Sequence, residues 1–173
     1  VESPGTVYVA TGYPSQGQSH HTTLAQIVAA PLGTQHHKVV VESGRTDRFQ
    51  WGVGTFASRA AVVGGTAALK SAQKVRQKIL NLASEKLEVS AEDLEISDGL
   101  VTVIGVPESS LTFGELATEA NPIIDLKPDD APGLQATEYF SPVAATFSSG
   151  VHGLILQVDI ETGQITIDRY IVV

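Results

Sequence analysis

Twice in this chain a polar, glycine-bearing segment stands directly before a stretch of helical periodicity, at 11–19 and again at 52–59. A helix start presents N–H groups without intrahelical partners, and a glycine beside it lets a ligand approach the backbone closely. Two such junctions within 173 residues favour a fold in which strands deliver loops to helix N-termini. The first junction follows the β-branched and aromatic run 6–10 and carries Thr11-Gly12-Tyr13-Pro14-Ser15-Gln16-Gly17-Gln18-Ser19 into His20. Leu24, Ile27 and Val28 then recur at helical spacing, which predicts a helix over 20–32 capped by Ser19, stopped by Gly33 and shortened by Pro31. A compact apolar strand at 39–41 ends at Glu42-Ser43-Gly44, and a glycine-rich stretch holding the only tryptophan, Trp51, leads to Gly54.

The second junction, Gly52-Val53-Gly54-Thr55-Phe56-Ala57-Ser58-Arg59, feeds a long helix expected from Ser58 toward Leu87, with Leu69, Val75, Ile79, Leu82 and Leu87 mostly on one face. Gly64 and Gly65 lie near its start. Each costs about 1 kcal/mol relative to alanine inside a helix, so close helix packing or backbone approach is expected there. Beyond it, Ser90 to Asp93 reads as a capped turn, 94–97 and 100–106 as a hairpin about Asp98-Gly99, and 112–120 as a helix with a Thr112–Glu115 capping box. Residues 121–133 contain three prolines and the Asp129-Asp130 pair and read as a linker; 136–147, 151–160 and 164–173 read as strands, the last two joined by Glu161-Thr162-Gly163. The class is α+β: mixed strands, one long helix and a C-terminal strand pair. The expected division is an α/β lobe over 1–120, a linker over 121–135, and strands over 136–173 that complete the sheet or lead into a second lobe. A strand pattern that stops at Val173 without a turn, and a first residue other than methionine, suggest a piece of a longer chain.

A formal charge of −8 argues against broad attraction to nucleic acid or anionic lipid, so an anionic ligand has to be held locally. The chain has no cysteine and can offer no thiolate to zinc, haem or an iron–sulfur cluster. It has neither an apolar run of membrane-spanning length nor a secretory signal, which points to a cytoplasmic setting. The pairs His20-His21 and His36-His37 consist of neighbours that point in different directions, so neither pair readily chelates one metal. The acidic groups Glu92-Asp93-Glu95 and Asp129-Asp130 read as solvated charge. A serine hydrolase built on Ser15, Ser19 or Ser58 lacks the G-x-S-x-G elbow.

In the first junction, Gln16 and Gln18 flank Gly17 ahead of Ser19 and His20; in the second, Thr55, Phe56, Ala57, Ser58 and Arg59 supply hydroxyls and a guanidinium. If the two converge, they suit one polyanionic ligand. The plain alternative is that Ser19 and Ser58 cap their helices and Arg59 lies in solvent.

Taken together, Thr11-Gly12, Gln16-Gly17-Gln18-Ser19-His20 and Thr22-Thr23-Leu24-Ala25-Gln26-Ile27-Val28 closely resemble the large subunit of the molybdenum hydroxylases, the xanthine dehydrogenase, aldehyde oxidase and carbon monoxide dehydrogenase family. Gly44-Arg45-Thr46-Asp47-Arg48 followed by Trp51 to Arg59 looks like that family's other cofactor segment. The tail, His152 to Tyr170 with Asp159-Ile160-Glu161-Thr162-Gly163, resembles its later strand pair. The resemblance spans nearly the whole chain. It implies a molybdenum cofactor-binding domain and a molybdopterin cofactor carrying molybdenum, in the cytosine dinucleotide form. By resemblance, Gln16, Gly17, Gln18, Ser19 and His20 lie on one side of this cofactor, and Thr55, Phe56, Ala57, Ser58 and Arg59 on the other.

The dithiolene sulfurs of such a cofactor ligate the metal, which makes a cysteine-free domain chemically acceptable. The resemblance further implies oxidation of an aldehyde, an N-heterocycle or CO with water as oxygen source. The implied partners are the remainder of the large subunit and iron–sulfur and FAD subunits or domains, in a homo-oligomeric complex. The base glutamate of the family is expected outside these residues, which on their own should be inactive and should lack cofactor. Two positions depart from the pattern: Ser19 stands where the family usually has glycine, and Arg45 where an acidic residue is common. The competing reading, supported by Ser19, is a non-catalytic scaffold or interaction domain that has lost the cofactor.

Overall fold

The computed structural model describes residues 1–121 and 132–173. It divides into two compact units, 1–141 and 142–173. The first begins with strand β1 (Val7–Thr11), helix α1 (His20–Leu32) and strand β2 (Val39–Ser43). β1 and β2 pair in parallel with Val7 opposite Val39 and Thr11 opposite Ser43. A parallel pair needs a crossover between its strands, and α1 supplies it. Valines and a threonine favour the pleated conformation, and Val7, Thr11 and Val39 turn inward.

α1 runs its full expected length through Pro31. The proline lacks an N–H, and Arg76 from the next helix donates to the Pro31 carbonyl at 3.0 Å, satisfying an acceptor near the helix end. Gly33 closes the helix in the left-handed conformation (φ 57°), its N–H donating to the carbonyls of Ala29 and Ala30.

The long helix differs at its start. Residues Ala60–Gly65 form a π-helix, and α2 proper spans Thr66–Leu87. Ala57 and Ser58 both adopt positive φ (53° and 52°), so the expected helix start at Ser58 is displaced. α2 buries Ala72, Val75, Ile79 and Ala83, one face at spacings of three and four. Leu69 is exposed, and the small Ala72 and Ala83 carry the packing where larger leucines were expected. Gly64 and Gly65 answer the expectation of close approach: a Cβ on Gly64 would fall 2.8 Å from the Tyr13 ring, and one on Gly65 3.2 Å from Ile27 Cδ1.

A three-stranded antiparallel sheet follows, β3 (Leu94–Ser97), β4 (Leu100–Val103) and β5 (Val106–Thr112) in that order. The expected strand 100–106 is thus all of β4, a turn at Ile104-Gly105 and the first residue of β5. A register shift between Thr102 and Val103 accommodates the turn. Helix α3 (Phe113–Glu119) closes over this sheet. One continuous core joins Val7 and Val39 to Leu32, Ile79, Val101, Phe113, Leu116 and Leu134.

The capping box of α3 is present. Thr112 donates its N–H (2.8 Å) and hydroxyl (2.7 Å) to the Glu115 carboxylate, while the Glu115 N–H donates back to the Thr112 hydroxyl at 3.2 Å. These bonds, the backbone one foremost, hold the Glu115 carboxyl below its ordinary value. The stabilisation is therefore complete above the unfolded-state pKa and is lost as pH falls through the depressed folded value. Thr112→Ala should cost about 1 kcal/mol of unfolding free energy at neutral pH. The difference between wild type and Glu115→Gln should shrink from pH 7 to pH 3; a difference that stays constant over this range would contradict the assignment.

Residues 136–141 were expected to begin a strand and form none, pairing with no other strand. The segment after residue 132 instead runs along α2, where three lysines one turn apart hold it in succession. Lys78 donates to the Gln135 carbonyl at 3.0 Å, Lys74 pairs with Glu138, and Lys70 lies 4.9 Å from the centre of the Phe140 ring. Leu134 is 2% exposed. Leu134 to Ser141 therefore pack within the first unit, and the division falls at 141/142, later than the expected linker at 121–135. Most of that linker, with Asp129-Asp130, lies outside the described residues. In the second unit, 142–147 form no strand either. β6 (His152–Val158) and β7 (Ile165–Val172) pair there as an antiparallel hairpin around the expected Glu161-Thr162-Gly163 turn. Every residue of this hairpin is exposed.

Candidate functional site

β1 ends in the first loop and the stretch after β2 leads into the second, and the two loops meet. Gly12 touches Gly52: a Cβ on either would lie 2.8 Å from the other's Cα. Two residues on, the Thr55 hydroxyl donates to the Pro14 carbonyl at 2.7 Å. Beyond this seam lies an open cavity of about 370 Å³ lined by Gln16, Gln18 and His20 from the first loop and by Thr55, Phe56, Ser58, Arg59, Ala60 and Ala61 from the second. The two bends anticipated from the glycines therefore face one space. A larger open cavity, about 1150 Å³, lies among the N-terminal residues, β1, residues 46–52 and residues 133–140. It is lined by none of Gln16, Gln18 and Arg59, so the smaller cavity is the one that the expected site residues share.

Both helices that point at this cavity start without a side-chain cap. Ser19 occupies the N-cap position of α1 but makes no side-chain cap bond; Ser58 lies outside the π-helix, whose N-cap Arg59 also makes none. The plain capping reading of both serines is thereby corrected. The cause is the backbone: Ser19 (φ 60°) and Ser58 (φ 52°) are left-handed, whereas a capping serine takes extended torsions. First-turn N–H groups are left for another acceptor.

Arg59 is half-buried, not solvated. Its guanidinium lies 5.1 Å from the centre of the Phe56 ring and 5.8 Å from that of Tyr13. Its Nε is buried without a hydrogen-bond partner, a condition that costs stability unless a ligand accepts from it. The remaining site residues are placed as follows. Gln18 accepts the Gln16 N–H through its side-chain carbonyl, which leaves its NH₂ as a donor. His20 donates through Nδ1 to the Tyr13 carbonyl (3.3 Å), since a carbonyl only accepts. Gly17 (φ 99°) and Ala57 (φ 53°) shape the loops and are not among the lining residues. The structure thus unites Gln16, Gln18, His20, Thr55, Phe56, Ser58 and Arg59, with Gly17, Ser19 and Ala57 as the bends between them.

Sequence reasoning passed over Tyr13, whose aromatic ring amid turn residues was the one available signal. Arg45 is turned to other work: it clasps Asp47 at 3.2 and 2.6 Å and reaches Glu42 at 3.3 Å. That bonding lowers the Asp47 pKa and raises the Arg45 pKa. His21 reaches the Ser43 hydroxyl at 3.1 Å, and no metal-holding cluster of His, Asp or Glu occurs among the described residues.

The profile of the molybdopterin cofactor-binding domain family matches residues 1–173. The chain belongs to this family. Within the molybdopterin cofactor-binding domain family, its relatives are large subunits of molybdenum hydroxylases. It is 35% identical to the nicotine 6-hydroxylase large subunit of Paenarthrobacter nicotinovorans, over 98% of this chain and 21% of that one. Its fold matches CO dehydrogenase from Oligotropha carboxidovorans with a TM-score of 0.80 at 35% identity, covering 98% of this chain and 21% of the other. It also matches quinoline 2-oxidoreductase from Pseudomonas putida 86 with a TM-score of 0.77 at 35% identity, covering 98% and 22%. The chain spans about a fifth of the length of these relatives. Among the described residues no helix is long and apolar enough to cross a membrane.

Ser19 and Ala57 adopt left-handed conformations (φ 60° and 53°) that a glycine takes without strain. Ser19→Gly and Ala57→Gly should therefore each relieve roughly 1 kcal/mol of left-handed strain. Higher urea midpoints for both variants are the expected reading; a lower midpoint for either would mean its side chain contributes more than its backbone costs.

Proposed function

We propose that the cavity between residues 16–20 and 55–59 receives the molybdopterin cofactor, in the cytosine dinucleotide form, within a full-length molybdenum-dependent oxidoreductase. The observation that carries this reading is the meeting of two uncapped helix starts at a cavity with an unpartnered buried guanidinium nitrogen. The residues fit such a group: a phosphorylated, heteroatom-rich ligand requires several donors and one fixed positive charge, and this side chain set supplies both. When bound, the cofactor supplies the metal that takes electrons from a small substrate, an aldehyde, an N-heterocycle or CO, with water as the oxygen source. Arg59 and Ser58 would hold anionic oxygen, the Gln16 and Gln18 carboxamides would donate to the ligand's polar edge, and Phe56 would shield the guanidinium from water. The base is supplied from outside these residues, and electrons leave through iron–sulfur and FAD partners. That the fragment alone lacks cofactor and activity belongs to the same proposal.

The test is molybdenum and pterin analysis of the full-length subunit made in a host that synthesises the cofactor. Stoichiometric metal in wild type, falling about tenfold or more in Arg59→Leu as charged hydrogen bonds are lost, is the expected result. A folded wild-type subunit free of both metal and pterin would establish the scaffold alternative instead.

A further inference from the structure

We propose that Tyr13, which does not line the cavity, is a positioning residue whose buried ring sets the pose of Arg59 and holds the first loop against the second. Tyr13 is 9% exposed, unusual for an aromatic within a run of turn formers. One side of its ring meets the backbone of Gly64, where an added Cβ would come within 2.8 Å of Cδ2 and 3.2 Å of Cε2 and Cγ. The Arg59 guanidinium lies 5.8 Å from the ring centre. The backbone of the same residue is bound on both sides, its N–H donating to the Thr11 hydroxyl at 3.3 Å and its carbonyl accepting from His20 Nδ1 at 3.3 Å. The next carbonyl, that of Pro14, accepts the Thr55 hydroxyl.

Tyr13 therefore joins the His20 end of the first loop to two points of the second junction, Arg59 just ahead of the π-helix and Gly64 near its end. The π-helix places Gly64 against this ring, and only a residue without a side chain leaves room for it. Contacts with both rings restrain the guanidinium in the pose that leaves its buried Nε without a partner. The ring fixes a donor in advance of the ligand, and preorganised donors bind with less ordering cost. All these ring contacts are made by carbon atoms, so the hydroxyl is dispensable and phenylalanine should substitute. The proposal rests on the reading of the cavity as the cofactor site.

The experiment uses the full-length subunit in its complex, produced in a host that makes the cofactor, with four variants: Tyr13→Leu, Tyr13→Phe, Gly64→Ala and Arg59→Leu. Molybdenum and pterin per folded subunit are measured together with the near-ultraviolet and visible circular dichroism of the retained cofactor. Tyr13→Leu should retain about fivefold less metal, the factor expected for a partly exposed cation–π contact, with an altered dichroism band in what remains. Tyr13→Phe should match wild type in both readings. Gly64→Ala, which displaces the ring without entering the cavity, should reproduce the leucine variant and decides the matter if that variant does not accumulate. Wild-type metal and dichroism in both Tyr13→Leu and Gly64→Ala would overturn the proposal, as would a phenylalanine variant as defective as leucine. If Arg59→Leu loses metal while those two do not, only the positioning role falls. If Arg59→Leu keeps full metal with an unaltered dichroism, the cavity reading falls with it.

Discussion

Gly12→Ala should separate the two loops and empty the site: the full-length subunit is expected to fold with about a tenfold loss of bound molybdenum and pterin, at a cost of roughly 2 kcal/mol in stability. The reason is steric. Gly12 has no unusual torsion, yet an added methyl would come within 2.8 Å of the Gly52 Cα, with Phe49 ring atoms at 3.2 and 3.5 Å behind it. A flexible side chain could yield, but here the obstacle is backbone, so the seam between residues 12–14 and 52–55 has to open. Every donor aimed at the cavity stands beyond that seam, and a displacement of about 1 Å is enough to spoil converging hydrogen bonds. Metal and pterin analysis beside a thermal melt checks both halves. Wild-type metal content in a folded Gly12→Ala subunit would show that the contact does not set the spacing of the loops.

The largest effect on stability alone is expected at Gly33. An alanine there would have to hold φ near 57° and would bring its Cβ within 2.5 Å of the Ile96 carbonyl oxygen. Left-handed strain contributes about 1–2 kcal/mol and overpacking about 1–3 kcal/mol, so a loss near 3 kcal/mol is expected. This is a large part of the 5–15 kcal/mol by which domains are ordinarily stable. The effect should be centred where α1 meets β3. Hydrogen exchange should show faster opening of both elements in Gly33→Ala, with a lowered unfolding midpoint. Unchanged protection of α1 and β3 would contradict the contact.

Some of this architecture was legible because its causes are local. The valines of β1, the span of α1, the glycine stop at 33 and the Thr112–Glu115 box all depend on neighbours within a few residues, and all are present. The convergence of the two glutamine- and hydroxyl-bearing loops was legible as a possibility, since both lead into helices.

Other features depend on partners that periodicity cannot see. β5 reads Val106-Pro107-Glu108-Ser109-Ser110 at its start, poor in strand formers, and is a strand because β4 offers it a partner. Residues 136–147 hold Val, Thr, Tyr and Phe in a strand-like pattern but have no such partner, and lysines of α2 hold the first part instead. The buried face of α2 rests on the small Ala72 and Ala83 beside Val75 and Ile79, which leaves Leu69 outside. Tyr13 looked like a turn residue because its packing partner, Gly64, is far along the chain.

A π turn closes over more residues than an α turn, so the chain spends extra length between Arg59 and Thr66. Removing one residue from Val62-Val63 would let this stretch settle into ordinary helical winding. Phe56 and Arg59, just ahead of the deletion, would then rotate together by about 100° around the axis, while Tyr13 stayed against Gly64 and Ala72, Val75 and Ile79 kept their seats in the core. The arginine would be carried away from the Tyr13 ring by the bookkeeping of a single amino acid, so here the length of the chain is as much a specification of the site as the identity of its residues.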